Sequence, residues 1–259
     1  MGPEMTLDNI FLLFQIVVLS IMLAVSYSLL RRGRGSLRLV FFAFAVACYL
    51  LSDVYWLVYE LLRPELRMPF AANEFCEWAM FLLLGAALNA GGPVSRASAR
   101  REMLGAALFA AANTALWIAW SGEWMQDILT GLSLGWFLCF LAAHIKREGT
   151  FTALHWRVAG LVCTVLIAAQ AATFFVPEAA KAALDLFCYV LLFAGAAYLL
   201  LRAVLTLKKS VSVSPGFAAL AWMTVTMYMS AGVWYLAAVL LSILCFPLML
   251  LALRKEAAA

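Results

Sequence analysis

Charge is scarce in this sequence. Only 12% of its 259 residues are Asp, Glu, Lys or Arg, against 66% hydrophobic, and the mean hydropathy is +0.98. A soluble domain carries about a quarter of its residues charged, so water is excluded as the main solvent. Two histidines leave little for a histidine-based metal site. The six cysteines, Cys48, Cys76, Cys139, Cys163, Cys188 and Cys245, form no CxxC pair. All lie inside apolar blocks, where cysteine acts as a small buried hydrophobe rather than a disulfide partner. HExxH and a phosphate-binding glycine loop are also missing, which removes common signatures of zinc hydrolases and nucleotide enzymes. The ten-residue alternation of a membrane β-barrel is missing too. The N-terminus, MGPEMTLDN, is acidic and lacks the basic n-region of a signal peptide.

Long apolar runs fill most of the chain. They come in blocks of roughly 18 to 22 residues, the length that crosses a hydrocarbon core as helix. The expected fold class is all-α: a polytopic transmembrane helical bundle of eight or nine spans. It forms a single integral membrane domain over residues 1–259, with no soluble module. Spans are expected near 9–30, 39–61, 71–90, 102–120, 126–145, 155–175 and 182–203. The run from 216 to 253 would be roughly 57 Å long as one helix, nearly twice the membrane core. It must break, and Ser230-Ala231-Gly232 is the expected place because glycine tolerates the backbone angles required. Two final spans follow, near 214–231 and 234–253.

Basic residues set the orientation. Arg31, Arg32, Arg34, Arg38, Arg96, Arg100, Arg101, Lys146, Arg147, Arg157, Arg202, Lys208, Lys209, Arg254 and Lys255 all fall in alternate loops, leaving only Arg63, Arg67 and Lys181 on the other side. The positive-inside rule makes the larger set cytoplasmic, the N-terminus external and the C-terminus cytoplasmic. That arrangement needs an odd number of spans and favours nine. The net charge of +4 is accounted for by topology and anionic lipid heads, not by nucleic acid. The expected location is the plasma or inner membrane.

Acids show the reverse asymmetry. Glu102, Glu148 and Glu256 are cytoplasmic, and the other 11 of 14 lie in outer loops or outer halves of spans. Acids contribute little to topology, so topology does not explain this. The densest stretch is 53–78. Asp53, Trp56 and Glu60 share one face of span two, and Asp53 lies roughly 12 Å below its loop. Glu74, Glu77, Trp78 and Phe81 form the matching face of span three, after a short loop marked by Pro64 and Pro69. Tyr59 joins the same wall, with Asp127 from span five and Asp185 and Tyr189 from span seven. An ionisable group at membrane depth is costly and is by default a functional-site hypothesis.

The pattern suggests an outward-facing acidic pocket walled by aromatics, suited to a small cationic solute such as an amine. A divalent metal held by Asp53, Glu74, Glu77 and Asp185 is the second option. Bland readings compete. Glu74 suits the first turn of its helix, Lys181 can pair with Asp185, and Arg63 or Arg67 can fold back onto Glu60 or Glu74. His144 and His155 read as structural, and Met223, Met227 and Met229 as a packing stripe. Gly85 and Gly195, each followed by two alanines, suit close helix contact. Three functions follow: a transporter of a small cation, a sensor or complex subunit acting with a partner chain, or a metal-dependent lipid enzyme. No cofactor beyond a divalent cation is implied.

Overall fold

A computed structural model describes residues 7–33, 35–62, 72–92, 97–209 and 212–258. Among them the chain forms nine helices and no strand: α1 (Leu7–Arg31), α2 (Leu37–Leu62), α3 (Ala72–Asn89), α4 (Arg100–Ser121), α5 (Trp124–Glu148), α6 (Ala153–Ala172), α7 (Glu178–Lys209), α8 (Ser214–Tyr228) and α9 (Val233–Ala258). Each expected span is thus a helix. The break in the last apolar run falls where expected, with Gly232 at φ +56 between α8 and α9. Pro215 sits in the first turn of α8, where its missing N–H costs no intrahelical bond.

Among the described residues, seven helices are long and apolar enough to cross a membrane: α1, α2, α4, α5, α6, α7 and α9. The chain is a multi-pass helical membrane protein. The two remaining helices differ for distinct reasons. Helix α8 has only 15 residues, about 22 Å at helical rise. Helix α3 has length enough, but Asn73, Glu74, Glu77 and Asn89 dilute its apolar content.

These two helices are internal to the bundle. Helix α3 packs against α2 and α5, and α8 against α5, α7 and α9. Nearly every residue of α8 from Ser214 to Thr226 is buried. Helices α1, α4, α6 and α7 are the least buried of the seven membrane-length helices, as lipid-facing helices should be. Five fully buried phenylalanines form the centre: Phe42, Phe81, Phe137, Phe217 and Phe246. Their rings meet in pairs, with centroids at 6.5 Å for Phe81–Phe137, 6.3 Å for Phe137–Phe217 and 6.4 Å for Phe42–Phe246.

Two glycines make this packing possible. A Cβ on Gly85 would lie 2.7 Å from Trp136 Nε1, and one on Gly195 would lie 2.6 Å from Trp222 Nε1. The Trp222 indole uses that space to donate to the Leu192 carbonyl at 2.8 Å. Both close contacts agree with the small-residue reading of the sequence.

Basic side chains tie the helices together at one end. Buried Arg38 of α2 pairs with Glu256 of α9 and approaches the Leu88 carbonyl of α3 at 3.5 Å. Lys146 of α5 pairs with Glu102 of α4 at 2.7 Å. Arg147 donates to the Gly92 carbonyl, Arg202 to that of Thr150, and Lys255 to that of Leu207, at 2.7, 2.7 and 2.8 Å. His155 helps cap α6 with Thr152, a structural role as expected. Its counterpart His144 is fully buried on α5, and neither ring nitrogen has a hydrogen-bond partner among the described residues.

Candidate functional site

The opposite end holds the buried acids. The inward face of α2 runs Phe42, Val46, Tyr49 and Asp53 at helical spacing. Asp53 is 7% exposed and therefore lies inside the bundle. Helix α3 runs antiparallel beside α2 and is its most extensive neighbour, which sets Glu77 across from Ser52 and Asp53.

Glu77 is held by two hydroxyls from different helices. Ser52 of α2 donates to Oε1 at 3.3 Å, and Tyr228 at the C-terminal end of α8 donates to Oε2 at 2.6 Å. Asp53 Oδ2 is buried and has no hydrogen-bond partner among the described residues. Gln15 of α1, itself buried, lies within reach of Asp53 and Tyr49. Tyr49 is further fixed by stacking on Phe246, with centroids 5.6 Å apart, and Tyr228 by Trp117 at 5.1 Å.

A cavity of about 110 Å³ opens beside Glu77. It is walled by four helices: Tyr49 of α2, Glu77, Met80 and Phe81 of α3, Leu220, Thr224, Met227 and Tyr228 of α8, and Tyr235 and Ser242 of α9. No basic side chain among the described residues lines it. Its volume corresponds to roughly four water molecules at ~30 Å³ each. One carboxylate, three phenols and two aliphatic hydroxyls therefore share a small, otherwise apolar chamber.

Only part of the expected site is assembled here. Asp53 and Glu77 come together. The aromatic wall is different: it is Tyr49, Tyr228 and Tyr235, not Trp56 and Tyr59. Trp56 is 41% exposed, because the turn of α2 that bears it lies beyond the sealed part of the bundle. Tyr59 stacks on Tyr55, one helical turn earlier, at 6.3 Å. Glu60 lies two helical turns from Asp53 and does not line the cavity. Trp78 is buried but turns towards α5, donating to Thr130 at 2.9 Å. Glu74 also faces α5, where Gln126 approaches it at 3.5 Å.

The remaining acids are apart from the cavity. Asp127 accepts a 2.5 Å hydrogen bond from Ser121 across the α4–α5 turn, a local contact. Asp185 and Tyr189 stand together on α7, where Tyr189 stacks on Trp234 of α9 at 5.4 Å. Lys181 pairs with Glu178 at 3.7 Å rather than with Asp185. Arg63 and Arg67, the candidate partners of Glu60 and Glu74, lie outside the described residues, as do Pro64 and Pro69.

The four-carboxylate metal set is not assembled. Among the described residues no three His, Cys, Asp or Glu side chains gather closely enough to hold a metal ion. The reason is directional: Glu74 faces α5 and Asp185 stays on α7, so only Asp53 and Glu77 converge.

Comparison with known proteins adds no relative. No family model, no curated protein and no solved structure matches this chain. The site must be read from its own chemistry.

Tyr228 and Tyr235 are the site residues that sequence reasoning misses. Tyr228 sits in MTVTMYM, a stretch that reads as a methionine packing stripe. Tyr235 follows the break at Gly232, where an aromatic suits the interfacial belt. Tyr49 is within reach of pattern reading, since it precedes Asp53 by one helical turn.

Proposed function

We propose that this protein is a permease of the plasma or inner membrane that binds a small organic cation between α2, α3, α8 and α9. The cavity faces outward, with the basic end cytoplasmic by the charge asymmetry of the loops. The observation that carries this reading is the convergence of Asp53 and Glu77, on neighbouring helices, beside a tyrosine-lined chamber that no basic residue among those described lines.

A carboxylate at membrane depth is expensive to retain unless it pairs with something. Here the local donors to Glu77 are neutral hydroxyls, so a positive charge is the complementary ligand. Tyrosine faces add cation–π attraction. The small volume favours a compact ammonium over a large amine. Dispersal of the other acids, with no ligand trio among the described residues, disfavours a metal-dependent lipid enzyme. The turn between α8 and α9 supports transport rather than static binding: it interrupts the helical path next to Tyr228, and transporters place binding groups at such interruptions.

Uptake of radiolabelled tetramethylammonium into proteoliposomes tests the reading. Wild type should exceed protein-free vesicles, and Glu77→Gln should lower the protein-dependent rate about tenfold or more, as loss of a buried charge contact would. Uptake no greater than in empty vesicles, or a Glu77→Gln rate equal to wild type, overturns it. A sensor would instead bind the ion, move none of it and copurify with a second chain.

A further inference from the structure

Asp53 and Glu77 are not equivalent. Both oxygens of Glu77 accept hydroxyl hydrogen bonds, from Ser52 and Tyr228, and Glu77 lines the cavity. Asp53 lies behind it, does not line the cavity, and buries Oδ2 without a partner among the described residues. An ionised carboxylate oxygen in that position forfeits its hydration and gains nothing in return, whereas a carboxylic acid carries one charge less into the interior.

Among the described residues, the groups facing Asp53 offer no compensating cation. From α1 comes the Gln15 amide, and from α3 come Glu77 and, nearby, Cys76. Its own helix supplies Tyr49. Tyr228 of α8 and Tyr235 of α9 reach the same cluster through Glu77 and Tyr49. All are neutral or acidic.

Resting on the permease reading, we infer that Asp53 is the proton carrier that couples movement of the organic cation to a proton gradient. Two adjacent carboxylates cannot both be ionised cheaply unless a cation lies between or beside them. The exchange is therefore one for one. On entry of the cation, the O–H bond of the Asp53 carboxylic acid breaks and its proton passes to water on that side. The cation is then held against Glu77, with the ionised Asp53 carboxylate behind it. On the other side a proton from water re-forms the Asp53 O–H bond, and the cation leaves. Each full exchange moves one positive charge in each direction and is electrically silent.

The test uses the full chain in proteoliposomes with radiolabelled tetramethylammonium, which bears no removable proton of its own. With a lumen about two pH units more acidic than the outside, wild type should accumulate the ion well above its equilibrium level, up to ~100-fold for one-for-one exchange. Without the gradient it should only equilibrate. In detergent, adding tetramethylammonium to wild type in weak buffer should release protons. Asp53→Asn should neither accumulate the ion under the gradient nor release protons on its addition, while still exchanging labelled for unlabelled tetramethylammonium at a measurable rate. Asp53→Glu should restore accumulation. Wild-type exchange that ignores the gradient overturns the proton carrier but leaves the permease standing. Gradient-driven accumulation that survives in Asp53→Asn, or an Asp53→Asn protein that folds yet neither binds nor exchanges the ion, assigns the proton elsewhere and overturns it too. If wild type moves no tetramethylammonium at all, both readings fall together.

Discussion

The two ends of this bundle hold charge in opposite ways. At the basic end, the cations find partners on other segments: Arg38 with Glu256 and the Leu88 carbonyl, Lys146 with Glu102, and Arg147, Arg202 and Lys255 with backbone carbonyls. At the acidic end, Glu77 meets neutral hydroxyls, and one oxygen of Asp53 meets nothing among the described residues. The first pattern is what structural cohesion requires, since each bond crosses between elements. The second costs stability and supplies no cross-link that a neutral side chain could not supply. Residues kept at a cost are better explained by what they bind than by what they hold together.

Mutation can overturn this contrast. The largest effect should come from Arg38→Ala, which strands Glu256 and removes a donor from the end of α3. Loss of one partner of a buried pair costs about 3–5 kcal/mol, and the partial exposure of Glu256 reduces that to roughly 2–3 kcal/mol. Thermal unfolding in detergent should show it, and adding Glu256→Ala should return part of the loss. No change in melting temperature would remove the structural reading of the basic end.

Next in size is Gly195→Leu, which forces side-chain atoms into Trp222 and breaks its bond to Leu192. Overpacking of this kind costs about 1–3 kcal/mol, and a shifted or quenched tryptophan signal should accompany it.

The acidic end should behave with the opposite sign. Glu77→Gln keeps an acceptor for Tyr228 and removes a desolvated charge, so it should leave stability unchanged or raise it by up to about 1 kcal/mol. Asp53→Asn should do the same. Destabilisation of either by as much as Arg38→Ala would mean that both ends are structural, and the functional asymmetry would be gone.

Trp56→Ala should have the smallest effect. The side chain is substantially exposed and does not line the cavity. A change in unfolding below about 0.5 kcal/mol is expected, with tetramethylammonium uptake within error of wild type. A large loss of uptake would return Trp56 to the wall of the site.

Some of the site is legible in the amino-acid pattern. The pairing of Asp53 with Glu77 follows from two facts: a short loop makes α2 and α3 antiparallel neighbours, and helical spacing puts each acid on a definite face. Gly85 and Gly195 are legible because each is followed by two alanines, a small-residue patch that suits close helix approach. Asp185 and Asp127 are misplaced by pattern reading for one shared reason. Being at the correct depth says nothing about the azimuth of one helix relative to another, and α7 and α5 turn these acids elsewhere. Tyr228 is hidden because it lies 151 residues from Glu77, on a helix whose apolar content gives no preferred face.

Composition and local pattern suffice to make this chain a bundle of membrane-crossing helices, to place the helices along it, and to require a break in the last apolar run. Those follow from local quantities: hydropathy summed over the thickness of a bilayer, and backbone freedom at Gly232. Packing between distant segments is what sends α3 and α8 to the centre, lines the chamber with three tyrosines rather than tryptophans, and holds Glu77 while leaving Asp53 Oδ2 without a partner among the described residues. These features depend on how each helix rotates about its own axis, and in lipid that rotation is set by its neighbours rather than by any pattern within the helix itself.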